Sequence, residues 1–227
     1  MGLSPVHQAA KQGNLDEVKK SHSEGADLNE VHKNGSTALI FAAESDYIDV
    51  VKYLIENGAD PTVTTKMGGT ALNRAAEHGN IEIMKYLLDN GTPIGDMALI
   101  IAAREGHVEA AKLLLDEGAD INARQRWEQT ALMLAAREGH AEMVKFLLDS
   151  GANVRLKDKN GDTALNIADD NDNPDVAAQL RRAGAKAEVK KSAVSASIDD
   201  EDEDTSDSEI DELISDEDEP DDLDLDD

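Results

Sequence analysis

The chain has no cysteine. Disulfide frameworks, thiolate metal sites and cysteine nucleophiles are therefore excluded. Aromatic side chains are scarce, with one Trp, three Tyr and two Phe in 227 residues. No apolar run approaches the roughly 20 residues that a membrane span needs, so no membrane partner is expected. The start, Met1-Gly2-Leu3-Ser4-Pro5-Val6, lacks the charged and apolar regions of a secretory signal. Val6 stands where a myristoylation signal carries Ser or Thr. A soluble intracellular protein, cytoplasmic or nuclear, is the expectation. Positive charge is in deficit too: 22 Lys and Arg face 49 Asp and Glu, a net charge of −27. The field of such a molecule repels phosphate, which argues against a nucleic-acid partner.

The charge is unevenly spread. Residues 199–227 hold 19 acids and no base, whereas residues 1–198 balance to −8. The terminal stretch cannot bury enough apolar area to offset chain entropy and its own repulsion, so it reads as a disordered acidic tail. Residues 187–198, rich in small side chains, read as a linker.

Self-similarity organises the rest. Thr37-Ala38-Leu39 recurs as Thr70-Ala71-Leu72, Met97-Ala98-Leu99, Thr130-Ala131-Leu132 and Thr163-Ala164-Leu165, with Ser4-Pro5-Val6-His7 as a variant in front. Anchored on Pro5, Ala38, Ala71, Ala98, Ala131 and Ala164, the spacings are 33, 33, 27, 33 and 33. Gly25-Ala26-Asp27, Gly58-Ala59-Asp60, Gly118-Ala119-Asp120 and Gly151-Ala152-Asn153 keep the same phase.

Each anchor opens a short Ala-rich segment whose small side chains permit close helix packing. Thr37, Thr70, Thr130 and Thr163 are placed to cap these helices. Gly13, Gly79, Gly106 and Gly139 follow, where a left-handed residue ends a helix cheaply. A second, amphipathic stretch comes next. Val50, Val51, Leu54 and Ile55, like Met143, Val144, Leu147 and Leu148, form one apolar stripe per helix. Gly58, Gly91, Gly118 and Gly151 close it. No single unit can hide its stripe alone, so the units must stack. At the ends, Ser21-His22 and Leu180-Arg181 replace the apolar pair of the second helix, and polar caps facing water are expected.

The period and the T-P-L-H-type marker resemble the ankyrin repeat. That resemblance implies an all-α solenoid of stacked helix pairs with short β-hairpin fingers. Six repeats would fill residues 1–186, the first and last acting as caps, and the disordered acidic tail follows. One departure stands out. Six residues are missing between Gly91 and Ala98, leaving Thr92-Pro93-Ile94-Gly95-Asp96-Met97. The finger between repeats 3 and 4 should shrink to a tight turn and leave a notch. The notch reads either as a tolerated deletion or as a slot for a partner's protruding element.

Motifs for chemistry are missing. No H-E-x-x-H or phosphate-cradling glycine loop occurs. His7 falls at the marker His, which this family uses to bond the turn. His107 and His140 follow helix-ending glycines, a structural place. His22, His32 and His78 are single and out of phase. The acid-rich tail lacks a calcium-loop pattern. A non-enzyme without cofactor or metal is expected.

The resemblance implies a concave binding face of fingertips and first helices. Its candidate residues here are Lys33, Lys66, Met67, Arg104, Arg124, Arg126, Trp127 and Arg137. Trp127 beside two Arg has the composition of a hot spot; alternatively it folds back over its own finger. Every full finger carries Lys or Arg, which suggests an acidic ligand or ordinary solvated charge. The expected function is a monomeric, non-catalytic adaptor that holds a protein partner, its access tuned by the acidic tail. The alternative is an escort for a basic client, such as a ribosomal protein or histone, held at the tail.

Overall fold

The computed structural model describes residues 3–186. The linker and the acidic tail lie outside the described residues. Twelve α-helices follow in pairs: α1 (Pro5–Lys11) and α2 (Leu15–Ser23), α3 (Ala38–Glu44) and α4 (Ile48–Glu56), α5 (Ala71–Glu77) and α6 (Ile81–Asp89). Then come α7 (Met97–Glu105) and α8 (Val108–Asp116), α9 (Ala131–Glu138) and α10 (Ala141–Asp149), and α11 (Ala164–Asp170) and α12 (Pro174–Arg182). Among the described residues the fold is all-α, and each pair is one repeat.

The helices form two rows. Each odd-numbered helix packs on the next odd one, and each even-numbered helix on the next even one. The anchors Ala38, Ala71, Ala98, Ala131 and Ala164 are all buried at equivalent rungs. Alanine there lets neighbouring first helices approach. The second helices fill the other side with Val51, Leu54, Met84, Leu87, Leu114, Val144 and Leu147, all buried. One continuous core runs from Val6 to Ala185, so each repeat hides its stripe only because it has neighbours.

The local signals act as their chemistry requires. The hydroxyls of Thr37, Thr70, Thr130 and Thr163 accept from the backbone N–H three residues on, at 3.2–3.4 Å. Gly13, Gly79, Gly106 and Gly139 are left-handed, as are Asp46 and Asp172 in the same slot of repeats 2 and 6. A capping threonine is missing before α1 and α7, where Ser4 and Asp96 make no side-chain cap. The second is also the place of the deletion, where a short turn joins α6 to α7.

The end caps depart from expectation. Ser21 is buried rather than facing water. His22 is half-buried and its Nδ1 lies 2.9 Å from the Tyr53 hydroxyl of the next repeat. At the other end Leu180 is buried, and Arg181 is exposed and bridges Asp169 at 2.8 Å. The N-terminal repeat therefore docks its polar pair on its neighbour. The fingers are hairpin turns too short to form a strand ladder. Two backbone bonds close each. The N–H of His32, Thr65, Gln125 and Asp158 donates to the carbonyl of Ser36, Gly69, Gln129 and Asp162, and their own carbonyls accept from Gly35, Gly68, Glu128 and Gly161, all at 2.7–3.0 Å.

Candidate protein-binding face

The fingers are joined two by two. The Lys66 N–H donates to the Asn34 carbonyl at 3.0 Å, tying the first full finger to the second. The Lys159 N–H donates to the Trp127 carbonyl at 2.9 Å, tying the last two. Between the pairs stands the truncated turn. At the bases, Asn29 clasps Gly58 and Asp60, and Asn122 accepts from Asn153. Beside that clasp, the Thr62 hydroxyl and backbone N–H both donate to Asp60, and they hold its carboxyl below the ordinary value.

Trp127 does not fold back. It is 58% exposed, and Met67 on the second finger is 77% exposed. The Trp127 backbone is left-handed, with φ of 70°, and Glu128 follows at 57°. The other full fingers place Gly35, Gly68 and Gly161 at the Glu128 slot. A bulky residue at positive φ is an outlier. Two such residues cost about 1–2 kcal/mol each. The Arg124–Glu128 ion pair at 2.8 Å and the Lys159 bond hold the strained tip. The Lys159 ammonium lies 5.7 Å from the centre of the Trp127 ring.

The candidate cations fall into two groups. Arg124 is paired to Glu128, and Arg104 is paired to Glu105 at 2.6 Å and Glu77 at 3.3 Å. Lys33, Lys66, Arg126 and Arg137 make no ion pair among the described residues. The structure brings Lys33 and Lys66 onto joined fingers, and it sets Arg124, Arg126 and Trp127 on one tip. Arg104 and Arg137 sit in the last turns of α7 and α9, neighbouring first helices.

Sequence reasoning missed Arg74. It occupies the register position that holds Phe41, Ile101, Leu134 and Ile167 in other repeats. Its guanidinium meets Glu77 at 2.6 Å, so Arg74, Glu77, Arg104 and Glu105 form one chain of charges across α5 and α7. The signal was available as the one charge in a row that is apolar in repeats 2, 4, 5 and 6.

Five of the six histidines make contacts that hold the fold together. His7 Nε2–H donates to the Glu30 carbonyl at 2.8 Å, which leaves Nδ1 to accept from Ser4. His32 packs beside His7 and Phe41, so it is not isolated as its sequence phase suggests. His107 and His140 donate to the Glu77 and Arg104 carbonyls of preceding repeats. Asn173 does the same to Ala136 and Arg137. Among the described residues no group of three His, Asp or Glu could hold a metal. No helix there is long and apolar enough to cross a membrane.

Comparison with family models decides the class. A model of ankyrin repeats matches three times, over residues 6–98, 58–125 and 99–191. The chain belongs to the ankyrin-repeat family. No curated protein matches it. Among solved structures, the ankyrin chain is similar to a chain of a complex from Bdellovibrio bacteriovorus, the predatory endopeptidase Bd0816 with immunity protein Bd3460. The likeness has a TM-score of 0.72 at 29% identity and covers 80% of this chain and 99% of that one. Ankyrin repeats of this kind form a protein-interaction module. The face of fingers and first helices carries the exposed Trp127 together with Lys33, Lys66, Arg126 and Arg137, which make no ion pair among the described residues.

Proposed function

We propose that this protein is a non-catalytic adaptor that binds a partner protein on its finger and first-helix face. One observation carries the reading: Trp127 is presented to solvent on a backbone that is strained to do so. Strain retained at an exposed tip points to function, and a solvent-facing Trp flanked by Arg126 has hot-spot composition. Lys33, Lys66, Met67, Arg104, Arg124 and Arg137 complete the proposed contact surface. The similarity to a chain from an endopeptidase–immunity protein complex supports a protein as the partner.

The acidic segment from Asp199 on enters through charge alone. Its 19 carboxylates lower the affinity of an acidic partner and raise that of a basic one. Replacing these carboxylates by amides therefore separates the adaptor from the escort of a basic client, because the two affinities move in opposite directions.

Affinity capture from the source lysate tests the reading. The full chain and its Trp127→Ala and Arg126→Ala variants would be used side by side. A partner held by the wild type and lost by both variants is expected. A partner retained equally by both would place the contact elsewhere.

A further inference from the structure

The missing finger widens one gap in the row. First helices that pack directly, as α5 does on α7 and α7 on α9, stand about 8–10 Å apart. Fingers one repeat apart are close enough here to share a backbone bond, as Asn34 with Lys66 and Trp127 with Lys159 show. The second and third full fingers are two repeats apart. They therefore stand roughly 16–20 Å apart at their bases, twice the usual helix spacing. Each finger itself takes up about one such spacing, so the clear width is roughly 8–10 Å. That admits an extended or looped segment one finger wide, but not a helix with its side chains, which is about 10–12 Å across.

The two rims of that gap match in chemistry. Lys66 and Met67 stand on one rim, and Arg126 and Trp127 on the other. Both rims thus offer an unpaired cation beside a large exposed apolar side chain, and these are two of the four exposed large hydrophobics among the described residues. The floor differs. Arg74 and Arg104 are already neutralised by Glu77 and Glu105, whereas Arg137 on α9 has no carboxylate. Positive charge is thus held available at the edges of the gap and quenched in its centre, on a body that is otherwise acidic.

We infer that this gap receives one protruding acidic segment of the partner, extended or looped and one finger wide. An apolar side chain of that segment sits between Met67 and Trp127, and its carboxylates meet Lys66, Arg126 and Arg137. The inference rests on the adaptor reading and specifies the partner's chemistry.

A displayed library of random 16-residue peptides, selected against the full chain, tests it. Enriched peptides should be net negative and carry at least one bulky apolar residue. Lys66→Glu and Arg126→Glu should each weaken them about tenfold, while Lys85→Glu and Lys112→Glu on the second helices should not. Filling the gap, by inserting six residues between Thr92 and Met97 to restore a finger, should abolish binding with the helical signal intact. If the filled variant does not fold, the charge reversals still decide. No enrichment, enrichment without acidic bias, or indifference to Lys66→Glu and Arg126→Glu overturns the inference. A captured partner that is lost with Trp127→Ala yet binds through a neutral or basic segment would end this inference and leave the adaptor reading standing.

Discussion

His140 Nε2–H donates to the Arg104 carbonyl, 2.8 Å away in the preceding repeat, while its ring covers Gly106. A Cβ at Gly106 would lie 2.9 Å from the ring, on a backbone with φ of +77°. The same pairing joins Gly79 to His107 and Gly139 to Asn173. These three left-handed glycines thus make room for the residue that ties the next repeat to the helix end.

Gly106→Ala should therefore destabilise the fold by about 1–2 kcal/mol through backbone strain alone. His140→Ala should cost about 1 kcal/mol for the lost bond. The double variant should cost less than the sum, because removing the ring relieves the crowding at the new methyl. Urea unfolding of the three variants measures this. Strict additivity would show that the two residues are independent.

The period, the caps and the helix ends were legible because they repeat with the same small or polar residue in the same slot. What stayed hidden depends on contacts between repeats. Ser21 reads as a solvent-facing cap, but its hydroxyl is small enough to be covered. Arg74 and Glu77 are neighbours in sequence, yet their third member, Arg104, lies across the deletion. The shape of the Trp127 tip was written only as an absence, since Glu128 takes the slot that Gly35, Gly68 and Gly161 hold elsewhere. That the fingers join in pairs follows from geometry that no single finger encodes.

The Glu128 slot reverses an ordinary ranking. Both Glu128→Ala and Glu128→Gly lose the exposed pair with Arg124, so that loss cancels in the comparison. At φ of 57° the alanine retains a left-handed penalty of about 1–2 kcal/mol. Glycine escapes it but loses about 0.5–1 kcal/mol of chain entropy. The glycine variant should be the more stable by up to about 1.5 kcal/mol. Thermal unfolding at one pH decides, and a more stable alanine variant would contradict the backbone assignment.

Backbone exchange should report the finger pairing directly. Lys33, Lys66, Arg126 and Lys159 hold equivalent tip positions and all are exposed. Only the amides of Lys66 and Lys159 donate to a neighbouring finger. Those two should exchange at least about tenfold more slowly than the amides of Lys33 and Arg126 after correction for sequence. Hydrogen exchange followed by NMR gives the four rates, and four similar rates would mean that the fingers are not joined.

Acid should act at the base of the second finger. Thr62 depresses the Asp60 carboxyl through its hydroxyl and its amide. A depressed carboxyl contributes stability above its unfolded pKa and loses it as pH falls through the folded value. Thr62→Val removes the hydroxyl and should raise the Asp60 midpoint in an NMR titration. The stability gap between the two proteins should be constant at neutral pH and close in acid. An unchanged midpoint would show that the hydroxyl bond is not made.

Arg74 should be dispensable for folding. It stands in a row that is apolar in repeats 2, 4, 5 and 6, and its Nε is buried without a partner. Leucine would restore the row and remove that unsatisfied group. Glu77 would keep Arg104 as its partner, so no carboxylate is left alone, and exchanging a half-buried ion pair for apolar packing is often neutral or stabilising. Arg74→Leu should match or exceed the wild type in urea unfolding. Arg104→Leu in the same background leaves Glu77 uncompensated and should lose stability. Binding moves the other way: with Arg74 gone, Arg104 has less competition for Glu77 and the floor of the gap becomes more acidic. An acidic peptide selected on the wild type should bind Arg74→Leu more weakly even though the fold is no less stable. Equal affinity would place the peptide away from α5.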